Sequence, residues 1–502
     1  MVRRLTLWIA VLLLSGCASL PRVVDKPFSV TLPASTRTVW GKLVADSAEG
    51  RQLSGVRLIA SGDEALASLI TLADHAERSI DIQQYIIEQD ETSRAVLRHV
   101  RAAAERGVRV RILIDDLNTV GKDRRLLHLA EEPNLEVRVF NPFPAGRLSY
   151  MTRFAFSALE IPRINHRMHN KLFVVDDAIA VTGGRNIGDQ YFVRSNSYNF
   201  VDLDVIVAGR AVPDLSASFD AFWNSRFAYP IASVASPEAE QGAAASATDP
   251  VIPDAAKFLD HDLEQGRLNM TWVPVAVLAD APAKIAGEEH PEQFLPVASS
   301  IGDLMGEATR EVTVISPYFV PGESGVRLMG DLVKRGVGVR VLTNSLATTD
   351  SPLVHIGYSR YRRALLREGV ELFELRPVPG QKKARFHPFK SGHASLHAKA
   401  VVVDHHTVFI GSMNMDARSA HTNSELGLVI HSTLVANQVE ALFDDAVSDA
   451  SYSLGLTPDR RGIVWTEDEG NMHRIWHKDP ETSFALRLGL KLLAPLAADG
   501  LL

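Results

Sequence analysis

Two short clusters of histidine, lysine and aspartate have the composition expected of a site that cleaves phosphodiesters. Each follows the pattern His-x-Lys-x4-Asp, and each is followed by glycine and asparagine at the same offsets. The first cassette consists of His169, Lys171, Asp176, Gly183, Gly184 and Asn186, and the second of His397, Lys399, Asp404, Gly411, Ser412 and Asn414. One match can arise by chance in a chain of 502 residues, whereas two with identical spacing indicate a duplicated functional unit.

The spacing within each cassette predicts a strand that delivers charged side chains to one cleft. Side chains two residues apart share a face of an extended chain, so His397 and Lys399 are expected to point together while residues 401–403 are buried. A hairpin after Asp404 then leads to glycine, which allows close backbone approach, and to Asn414, whose amide donates hydrogen bonds. The first cassette is interpreted in the same way.

This set of residues suits the chemistry of a phosphodiester, an anion that repels nucleophiles. The lysines and asparagines can hold the phosphate oxygens and stabilise charge in the transition state. One neutral imidazole can attack phosphorus, and the other, when protonated, can donate its proton to the leaving oxygen. We therefore expect the two histidines to work in opposite charge states at one shared site.

Both cassettes resemble the paired motifs of the phospholipase D superfamily, and the chain is most similar to the bacterial cardiolipin synthase C group. The resemblance extends from about residue 50 to the C-terminus. It is carried by Gly107-Val-Arg-Val-Arg-Ile-Leu-Ile-Asp-Asp, Arg167-Met-His-Asn-Lys, Gly183-Gly-Arg-Asn-Ile-Gly-Asp, Thr343-Asn-Ser-Leu-Ala and Gly369-Val-Glu-Leu-Phe-Glu-Leu. This resemblance implies a phosphohistidine intermediate, with His169 as the nucleophile and His397 as the acid.

The resemblance also implies a carboxylate partner for each imidazole. Asp202 and Glu425 occupy equivalent places beyond the two glycine-asparagine elements, where they would fix the histidine tautomers, and Asp204 is the competing choice in the first half. The motif aspartates, Asp176 and Asp404, belong to the predicted catalytic set, where they are interpreted as salt-bridge or turn anchors.

No metal and no cofactor is predicted for this chemistry. His405 and His406 lie next to the second cassette, but no cysteine or carboxylate cluster at ligand spacing accompanies them in the sequence.

The N-terminus resembles a bacterial lipoprotein signal. Arg3 and Arg4 precede an apolar run from Leu5 to Leu14, which is too short to span a bilayer, and Cys17, the only cysteine, follows. This predicts a chain anchored by lipid at Cys17 in the bacterial envelope, facing the periplasm, and the residues after the cysteine favour the outer membrane over the inner one. The alternative is an incidental cysteine in a cleaved secretory signal.

Length and alternating elements predict an α/β fold with two core-forming units and a mostly buried sheet. The resemblance implies two pseudo-symmetric phospholipase D-type α/β/α halves with mixed, mostly buried sheets and the active site at their interface. Predicted elements in the first half are a helix over 63–78, a strand over 80–87, a helix over 93–106 and a strand over 108–114. The second half repeats this order with 311–315, 325–335 and 339–343. The predicted organisation is a signal peptide (1–17), a tether (18–50), a first half (51–232), a flexible insertion (233–254) and a second half (255–502) ending in an amphipathic tail.

We expect a phosphatidyltransferase that makes cardiolipin from phosphatidylglycerol and a donor phospholipid at a membrane. One chain supplies both histidines, so it is predicted to act as a monomer in the catalytic sense, and the family suggests a small companion protein. A net charge of −7 argues against nucleic acid as the partner. The alternatives are a secreted phospholipase D or an endonuclease that uses the same histidines, and a non-catalytic lipid-binding lipoprotein.

Overall fold

The fold consists of two large mixed β-sheets, each flanked by helices. The computed structural model describes residues 20–21, 23–235, 250–286, 295–377, 394–469 and 472–494. One sheet has nine strands, the other has ten, and a pair of short strands joins the two halves. The predicted α/β class, with two similar halves and mixed sheets, is therefore confirmed.

The strands are named in chain order. They are β1 (Ser54–Ile59), β2 (Ser79–Gln84), β3 (Arg109–Asp115), β4 (Leu135–Phe140), β5 (Leu172–Val175), β6 (Ile179–Gly183), β7 (Asn199–Val201), β8 (Asp204–Gly209), β9 (Ala228–Pro230), β10 (Thr271–Val273), β11 (Val275–Ala279), β12 (Glu311–Ile315), β13 (Gly338–Asn344), β14 (Glu371–Leu375), β15 (Ala394–Leu396), β16 (Ala400–Val403), β17 (Thr407–Gly411), β18 (Leu426–His431), β19 (Ser451–Leu456), β20 (Ile463–Glu469) and β21 (Met472–Trp476).

The helices are named in the same way. They are α1 (Val39–Ala48), α2 (Gly62–Asp74), α3 (Glu91–Glu105), α4 (Asp123–Ala130), α5 (Tyr150–Phe156), α6 (Ile161–Ile164), α7 (Val212–Asn224), α8 (Phe258–Gln265), α9 (Val297–Gly306), α10 (Gly322–Lys334), α11 (Pro352–Glu368), α12 (Ala417–His421), α13 (Thr433–Ala450) and α14 (Phe484–Leu493).

The duplication predicted from the cassettes extends to the order of the strands. The first sheet runs β10-β1-β8-β6-β5-β2-β3-β4-β9, and the second runs β11-β18-β17-β16-β12-β13-β14-β19-β20-β21. From β1 to β9 and from β11 to β19 the two orders correspond strand for strand. In both sheets three neighbouring strands are parallel and the other pairs are antiparallel.

A shared hydrophobic core holds the halves together. One cluster of buried apolar residues covers the outer face of the first sheet, and another covers the outer face of the second. The central cluster combines apolar side chains from both sheets with the buried faces of α7 and α13. Because this core belongs to both halves, each sheet fixes the position of the other.

The elements that precede the cassettes agree with the sequence-based expectations to within a few residues. Helices α3 and α10 are each followed by a glycine in the left-handed region, Gly107 with φ 96° and Gly336 with φ 84°. At both places glycine ends the helix and lets the chain turn into a buried parallel strand. The predicted hairpin from β16 to β17 is also present.

The predicted tether over residues 18–50 is wrong for much of its length. Helix α1 lies within it and buries Trp40 completely. Before that helix, the carbonyl oxygen of Ser29 accepts a hydrogen bond from Arg111, and the amide of Thr31 donates to Asp220 at 2.7 Å. The sequence of this segment has little apolar periodicity, so it gave no sign of this packing. The segment is held instead by polar contacts with residues far along the chain.

The boundary between the halves also differs from the prediction. The second half was expected to begin at residue 255, but α8 packs on the first core and β10 pairs with β1. The next strand, β11, pairs with β18 of the second sheet, so the chain crosses between sheets at Pro274. Proline, which lacks an N–H donor, suits a residue between two ladders. Residues 236–249 of the predicted insertion lie outside the described residues.

The predicted C-terminal amphipathic element is a helix, α14, over Phe484–Leu493. It contacts α11 through Leu490 and Ile356, and Arg360 donates a hydrogen bond to the carbonyl oxygen of Ala494 at 2.6 Å. Among the described residues, no helix combines the length and the apolar character needed to cross a bilayer. The predicted signal and Cys17 lie outside the described residues.

Candidate active site

The two cassette histidines are each hydrogen-bonded to a carboxylate that comes from the opposite half. The Nδ1 atom of His169 donates to Glu425 at 2.9 Å, and Nδ1 of His397 donates to Asp202 at 2.6 Å. All four side chains are buried. The halves therefore exchange carboxylates, and the two predicted histidines and their two predicted partners meet at the interface between the halves.

Backbone hydrogen bonds between the halves fix this exchange. Strands β7 and β15 pair in parallel, and the amide of His397 donates to the carbonyl of Val201 at 2.7 Å. In the other direction the amide of His169 donates to the carbonyl of Ser424 at 2.9 Å. Each histidine is thus held beside the residue that precedes its carboxylate partner, and the two arrangements mirror one another.

The geometry determines which ring nitrogen is available for chemistry. Because Nδ1 of each imidazole engages a carboxylate, the proton of the neutral ring resides on Nδ1 and the lone pair on Nε2. Nε2 is therefore the nitrogen that can attack an electrophile or carry a second proton. The ring of Tyr85 packs edge-on against His169, with 4.9 Å between the ring centroids. The ring of Tyr191 packs in the same way against His397, with 5.3 Å between centroids.

The cassette lysines are almost completely buried beside the histidines. The ammonium of Lys171 donates to the backbone carbonyl of His169 at 2.6 Å, and Lys399 makes the equivalent bond to the carbonyl of His397. Burial lowers the pKa of Lys171 to about 7 and that of Lys399 to about 8, and the charge of Lys399 lowers the pKa of Lys171 as well. Two ammonium groups concentrated in one buried site form a strong anion-binding centre.

Burial and the lysines keep both imidazoles neutral in the free site. Burial lowers the pKa of His169 to about 4 and that of His397 to about 3, although the carboxylate beside each ring acts in the opposite direction. Burial by itself would raise the pKa of Asp202 and Glu425, but the neighbouring histidine and lysine lower it below its usual range. The resting site therefore combines ionised carboxylates with neutral imidazoles.

The remaining cassette residues line the same region. The amide oxygens of Asn186 and Asn414 are buried and have no hydrogen-bond partner among the residues that the structure describes. A Cβ at Gly184 would lie 2.1 Å from the Asp202 carboxylate, so any side chain at this position would displace that carboxylate. At the equivalent position in the second half, the hydroxyl of Ser412 donates to Glu425 at 2.5 Å.

The first glycine of each cassette also lies against the backbone of its own half. A Cβ at Gly183 would approach the Asp204 carboxylate to 2.4 Å, and one at Gly411 would approach the carbonyl of Leu426 to the same distance. Asp204 itself is bound to Arg185 and not to a histidine. Asp202 is therefore the carboxylate that meets the imidazole, and the competing choice is excluded.

The motif aspartates lie at the far ends of β5 and β16, away from the histidines. Asp176 accepts hydrogen bonds from the amides of Arg78 and Ser79 at 2.8 and 3.0 Å. Asp404 accepts bonds from the amides of Thr309 and Arg310 at 2.9 and 2.7 Å. Each strand advances about 3.3 Å per residue, so these carboxylates cannot reach a group bound at the imidazoles. This placement corrects their inclusion in the catalytic set and agrees with a role as turn anchors.

Two buried aspartates that sequence reasoning missed hold the site together. Asp115 accepts hydrogen bonds from the amide of Met168 at 2.9 Å and from Arg167 at 3.2 Å, which positions the segment before His169. Asp280 accepts a bond from the amide of Glu425 at 3.0 Å. Asp115 is the last residue of a buried parallel strand, and a carboxylate at that position was the sequence signal that could have identified it.

One group of side chains among the described residues could hold a metal ion. Ligand atoms of Glu311, His405 and Glu440 lie within 4.8 Å of one another. They surround the turn that contains Asp404, at the end of β16 opposite to His397, and Arg340 already pairs with Glu311 at 2.7 Å. By contrast, the hydrogen-bond donors near the imidazoles are lysine, asparagine and histidine groups, which suit an anion.

Comparison with known proteins agrees with this arrangement. Residues 69–223 and 301–447 match the domain family described as "Cardiolipin synthase, PLD-like domain". Cardiolipin synthase C of Escherichia coli (strain K12) is 38% identical over 457 residues, which cover 88% of this chain and 94% of that protein. An uncharacterized protein of Helicobacter pylori (strain J99 / ATCC 700824) is 30% identical over 499 residues, 96% of each chain.

Among solved structures, phosphatidylserine synthase of Haemophilus influenzae Rd KW20 has a similar fold. The match covers 91% of this chain and 98% of that one, with a TM-score of 0.56 and 15% sequence identity. Because the domain family matches both halves, and because a relative of 38% identity matches almost end to end, the chain belongs to the phospholipase D superfamily, in the family of cardiolipin synthase PLD-like domains.

Proposed function

We propose that this phospholipase D-type phosphatidyltransferase makes cardiolipin by moving a phosphatidyl group from a donor phospholipid to phosphatidylglycerol. The exchange of carboxylates between the halves carries the proposal, because it holds two oriented imidazoles at one interface. The near end-to-end similarity to a cardiolipin synthase supports phospholipids as substrates. The protein acts at a membrane, and the sequence around Cys17 supports a lipid anchor on the periplasmic side of the envelope.

In the first step, Nε2 of His169 attacks the phosphorus of the donor phospholipid. A phosphorus–nitrogen bond forms, the bond from phosphorus to the headgroup oxygen breaks, and protonated His397 gives its Nε2 proton to the departing oxygen. Glu425 stabilises the positive charge that develops on the His169 ring, to which it is hydrogen-bonded. The product is a phosphatidyl group on His169 and a free headgroup alcohol.

In the second step, neutral His397 takes the proton from a hydroxyl of phosphatidylglycerol. The hydroxyl oxygen attacks phosphorus, the phosphorus–nitrogen bond breaks, and cardiolipin is released with His169 restored. The proton on His397 is stabilised by Asp202 while the phosphodiester is bound; it is released to solvent with the product and taken up again when the next phosphodiester binds. Transfer to water at this stage would give phosphatidic acid, so synthesis requires the site to favour the lipid alcohol.

The electrostatics of the site support this use of the two imidazoles. Both rings are neutral in the free site because burial and two nearby lysines disfavour a further positive charge. A bound phosphodiester brings a negative charge between the lysines, and an adjacent negative charge raises the pKa of an imidazole. Substrate binding therefore favours the protonated acid that the first step needs, and Lys171 and Lys399 neutralise the transition state.

Lipid analysis of a bacterial strain that lacks cardiolipin tests the proposal. We expect the intact chain to restore cardiolipin, and His169→Ala and His397→Ala to abolish it. His406→Ala is the matched control, since this exposed histidine lies beside the same cassette but its ring neighbours are Thr407 and His431, not His397. Accumulation of phosphatidic acid with the intact chain would indicate a phospholipase D, and DNA cleavage without lipid change would indicate an endonuclease.

Trapping of the intermediate distinguishes the two histidines. The intact chain is quenched in alkali after mixing with phospholipid that carries a labelled phosphate, because phosphohistidine survives alkali and is lost in acid. We expect label on His169, and none in the His169→Ala variant. Label that persists in that variant and disappears in His397→Ala would reverse the assigned roles.

A further inference from the structure

Large apolar side chains are exposed along one short segment of the first half. Between residues 148 and 161, hereafter the 148–161 segment, the side chains of Leu148, Tyr150, Met151, Phe154, Leu159 and Ile161 are all at least 45% exposed, and Met151 reaches 85%. The segment contains α5 and the start of α6. Single exposed apolar residues are ordinary on a protein surface, but a concentration of this kind marks an interaction surface.

Buried arginines hold this segment in place from below. Among the described side chains of α5, the buried one is Arg153, which donates to the backbone carbonyls of Asp116 and Leu117 and lies 4.9 Å above the Phe143 ring. Just before the helix, Arg147 pairs with Asp116 and with Asp123, both at 2.7 Å. The helix thus buries its charge and exposes its apolar groups, the reverse of an ordinary surface helix.

The 148–161 segment borders the candidate active site on the side of His169. The hydroxyl of Tyr150 lies 3.5 Å from the amide oxygen of Asn118. Asn118 also lies beside the hydroxyl of Tyr85, whose ring contacts the His169 imidazole at 4.9 Å between centroids. Two side chains therefore connect the exposed apolar surface to the nucleophile.

The exposed side of the segment is apolar and carries little charge that an anionic lipid surface would repel. From residue 142 to residue 163 the sequence contains one acidic residue, Glu160, while Arg147 and Arg153 are buried beneath the segment. Glu160 is paired with Arg163 at 2.5 Å, so it does not present an unpaired carboxylate to lipid phosphates. Helix α5 has seven residues, which is far too short to span a bilayer but sufficient to lie in its interfacial region.

We propose that the 148–161 segment inserts its apolar side chains into a phospholipid bilayer and so places the site mouth at the level of the lipid headgroups. This inference rests on the proposed function, because an enzyme with a phospholipid substrate must bring its active site, and the surface beside it, to a bilayer. A single lipid anchor leaves the orientation of the enzyme free. A second contact beside His169 restricts that orientation and presents headgroup phosphates to the lysines.

Depth-dependent quenching tests insertion without requiring catalysis. The full chain with Met151→Cys carries a polarity-sensitive fluorophore and is reconstituted with vesicles of phosphatidylethanolamine and phosphatidylglycerol that contain spin-labelled lipid. The parent chain, with Cys17 as its only cysteine, gives the labelling background. The matched control is Lys334→Cys on α10, where the lysine side chain is 65% exposed.

We expect the fluorophore at position 151 to be quenched by spin-labelled lipid and the one at 334 to remain unquenched. Equal fluorescence at both positions in vesicle-bound protein would overturn the proposal. A change at position 151 that depends on protein concentration and occurs without vesicles would also overturn it, since it would identify a second copy of the chain as the occupant. The same measurement on the His169→Ala background keeps it independent of activity.

A kinetic comparison tests the consequence for the reaction. We expect the Met151→Ser/Leu159→Ser variant to lose about tenfold in activity on vesicles, because presentation at the surface is lost. Its activity on a short-chain phospholipid dispersed in detergent should stay within about twofold of the parent. The matched control is Val23→Ser/Val251→Ser, which alters side chains that are 92% and 82% exposed elsewhere.

Equal losses on both substrates would overturn a docking role for these side chains. A parent chain that is inactive on both substrates, yet quenched at position 151, would contradict the proposed function and leave membrane docking supported. The two proposals can therefore fail separately.

Discussion

The two histidine–carboxylate pairs do the same structural work with different side chains. His397 meets the short carboxylate Asp202, and the neighbouring cassette position is Gly184, where an added Cβ would lie 2.1 Å from that carboxylate. His169 meets Glu425, which is one methylene longer and is also bound by the hydroxyl of Ser412 at 2.5 Å. Both halves thus have the same histidine–carboxylate hydrogen bond, although the carboxylate and the neighbouring cassette residue differ between them.

The two imidazoles are alike in geometry but unequal in their surroundings. Glu425 is held by a serine hydroxyl on its side chain and by Asp280 on its backbone amide. Asp202 is held through its backbone carbonyl by Arg185 at 3.1 Å and lies close to Lys399, which helps to lower its pKa. The pKa of His397 is lowered at least as far as that of His169, so both rings are neutral in the free site. Their charge states there do not show which histidine is the nucleophile and which is the acid.

Replacement of each carboxylate by its amide should have the largest effect on this comparison. In Asp202→Asn and Glu425→Gln the amide can donate to Nδ1, which moves the imidazole proton to Nε2 and blocks its use. We expect kcat to fall by roughly 10³ to 10⁴ in each variant, by analogy with the loss of a histidine-orienting carboxylate in serine proteases. Steady-state transfer from a natural phospholipid measures the fall.

A nitrophenyl phosphodiester then separates the two roles. This leaving group departs without a proton, so the initial burst of nitrophenolate release should recover in the variant that impairs the acid and not in the other, while later turnover still requires the base. With His397 as the acid, the recovery belongs to Asp202→Asn. Recovery in Glu425→Gln alone would exchange the roles, and near-normal activity in both variants with the natural lipid would remove the carboxylates from the mechanism.

Alanine at the equivalent positions 184 and 412 sharpens the comparison with one residue type. Gly184→Ala places a methyl group against Asp202, and we expect about a hundredfold loss of activity with destabilisation of about 1 to 3 kcal/mol from overpacking. Ser412→Ala removes one hydrogen bond to Glu425, so we expect about a fivefold to tenfold loss and about 1 kcal/mol. Transfer rates and thermal midpoints measure both, and equal effects would contradict the asymmetry.

The cassettes could be predicted from the sequence because their spacing is a local property. A two-residue period, a turn and a close glycine are written in a few consecutive residues, and strands β5, β6, β16 and β17 formed where that pattern placed them. The carboxylates Asp202 and Glu425 were also identified, by their equivalent places together with the resemblance to the phospholipase D superfamily. What the sequence could not indicate was that each serves the histidine of the opposite half, since that depends on how the halves pack.

The errors have the same physical origin. Residues 23–48 lack a strong apolar period, yet Trp40 is buried and Ser29 is bound by Arg111, a residue of β3. Likewise, nothing in the local pattern of 255–273 indicates that these residues belong to the first half. The sequence of a strand does not show which other strand it will pair with. Asp115 and Asp280 were missed for this reason, as their buried carboxylates act on backbone amides that are distant in sequence.

The motif aspartates provide the smallest expected effect and a second contrast between the halves. Burial would raise the pKa of Asp404, but hydrogen bonds from the hydroxyl and amide of Thr309 and from the next two amides lower it to about 2. Burial raises the pKa of Asp176, which is more enclosed and lies beside Glu77. We expect Asp404→Asn and Asp176→Asn to change the transfer rate by less than about twofold, because neither carboxylate faces the imidazoles.

Their effects on stability should differ in pH dependence. The folded pKa of Asp404 lies below its unfolded value, so its carboxylate contributes stability above pH 3.8, about 1 kcal/mol after solvent screening, and this is lost as pH falls towards 2. The raised pKa of Asp176 has the opposite sign, so its ionisation contributes no stability at neutral pH. Thermal midpoints between pH 7 and 3 should therefore converge on the parent for Asp404→Asn and not for Asp176→Asn. A fall in activity as large as that of Asp202→Asn would instead return these aspartates to the catalytic set.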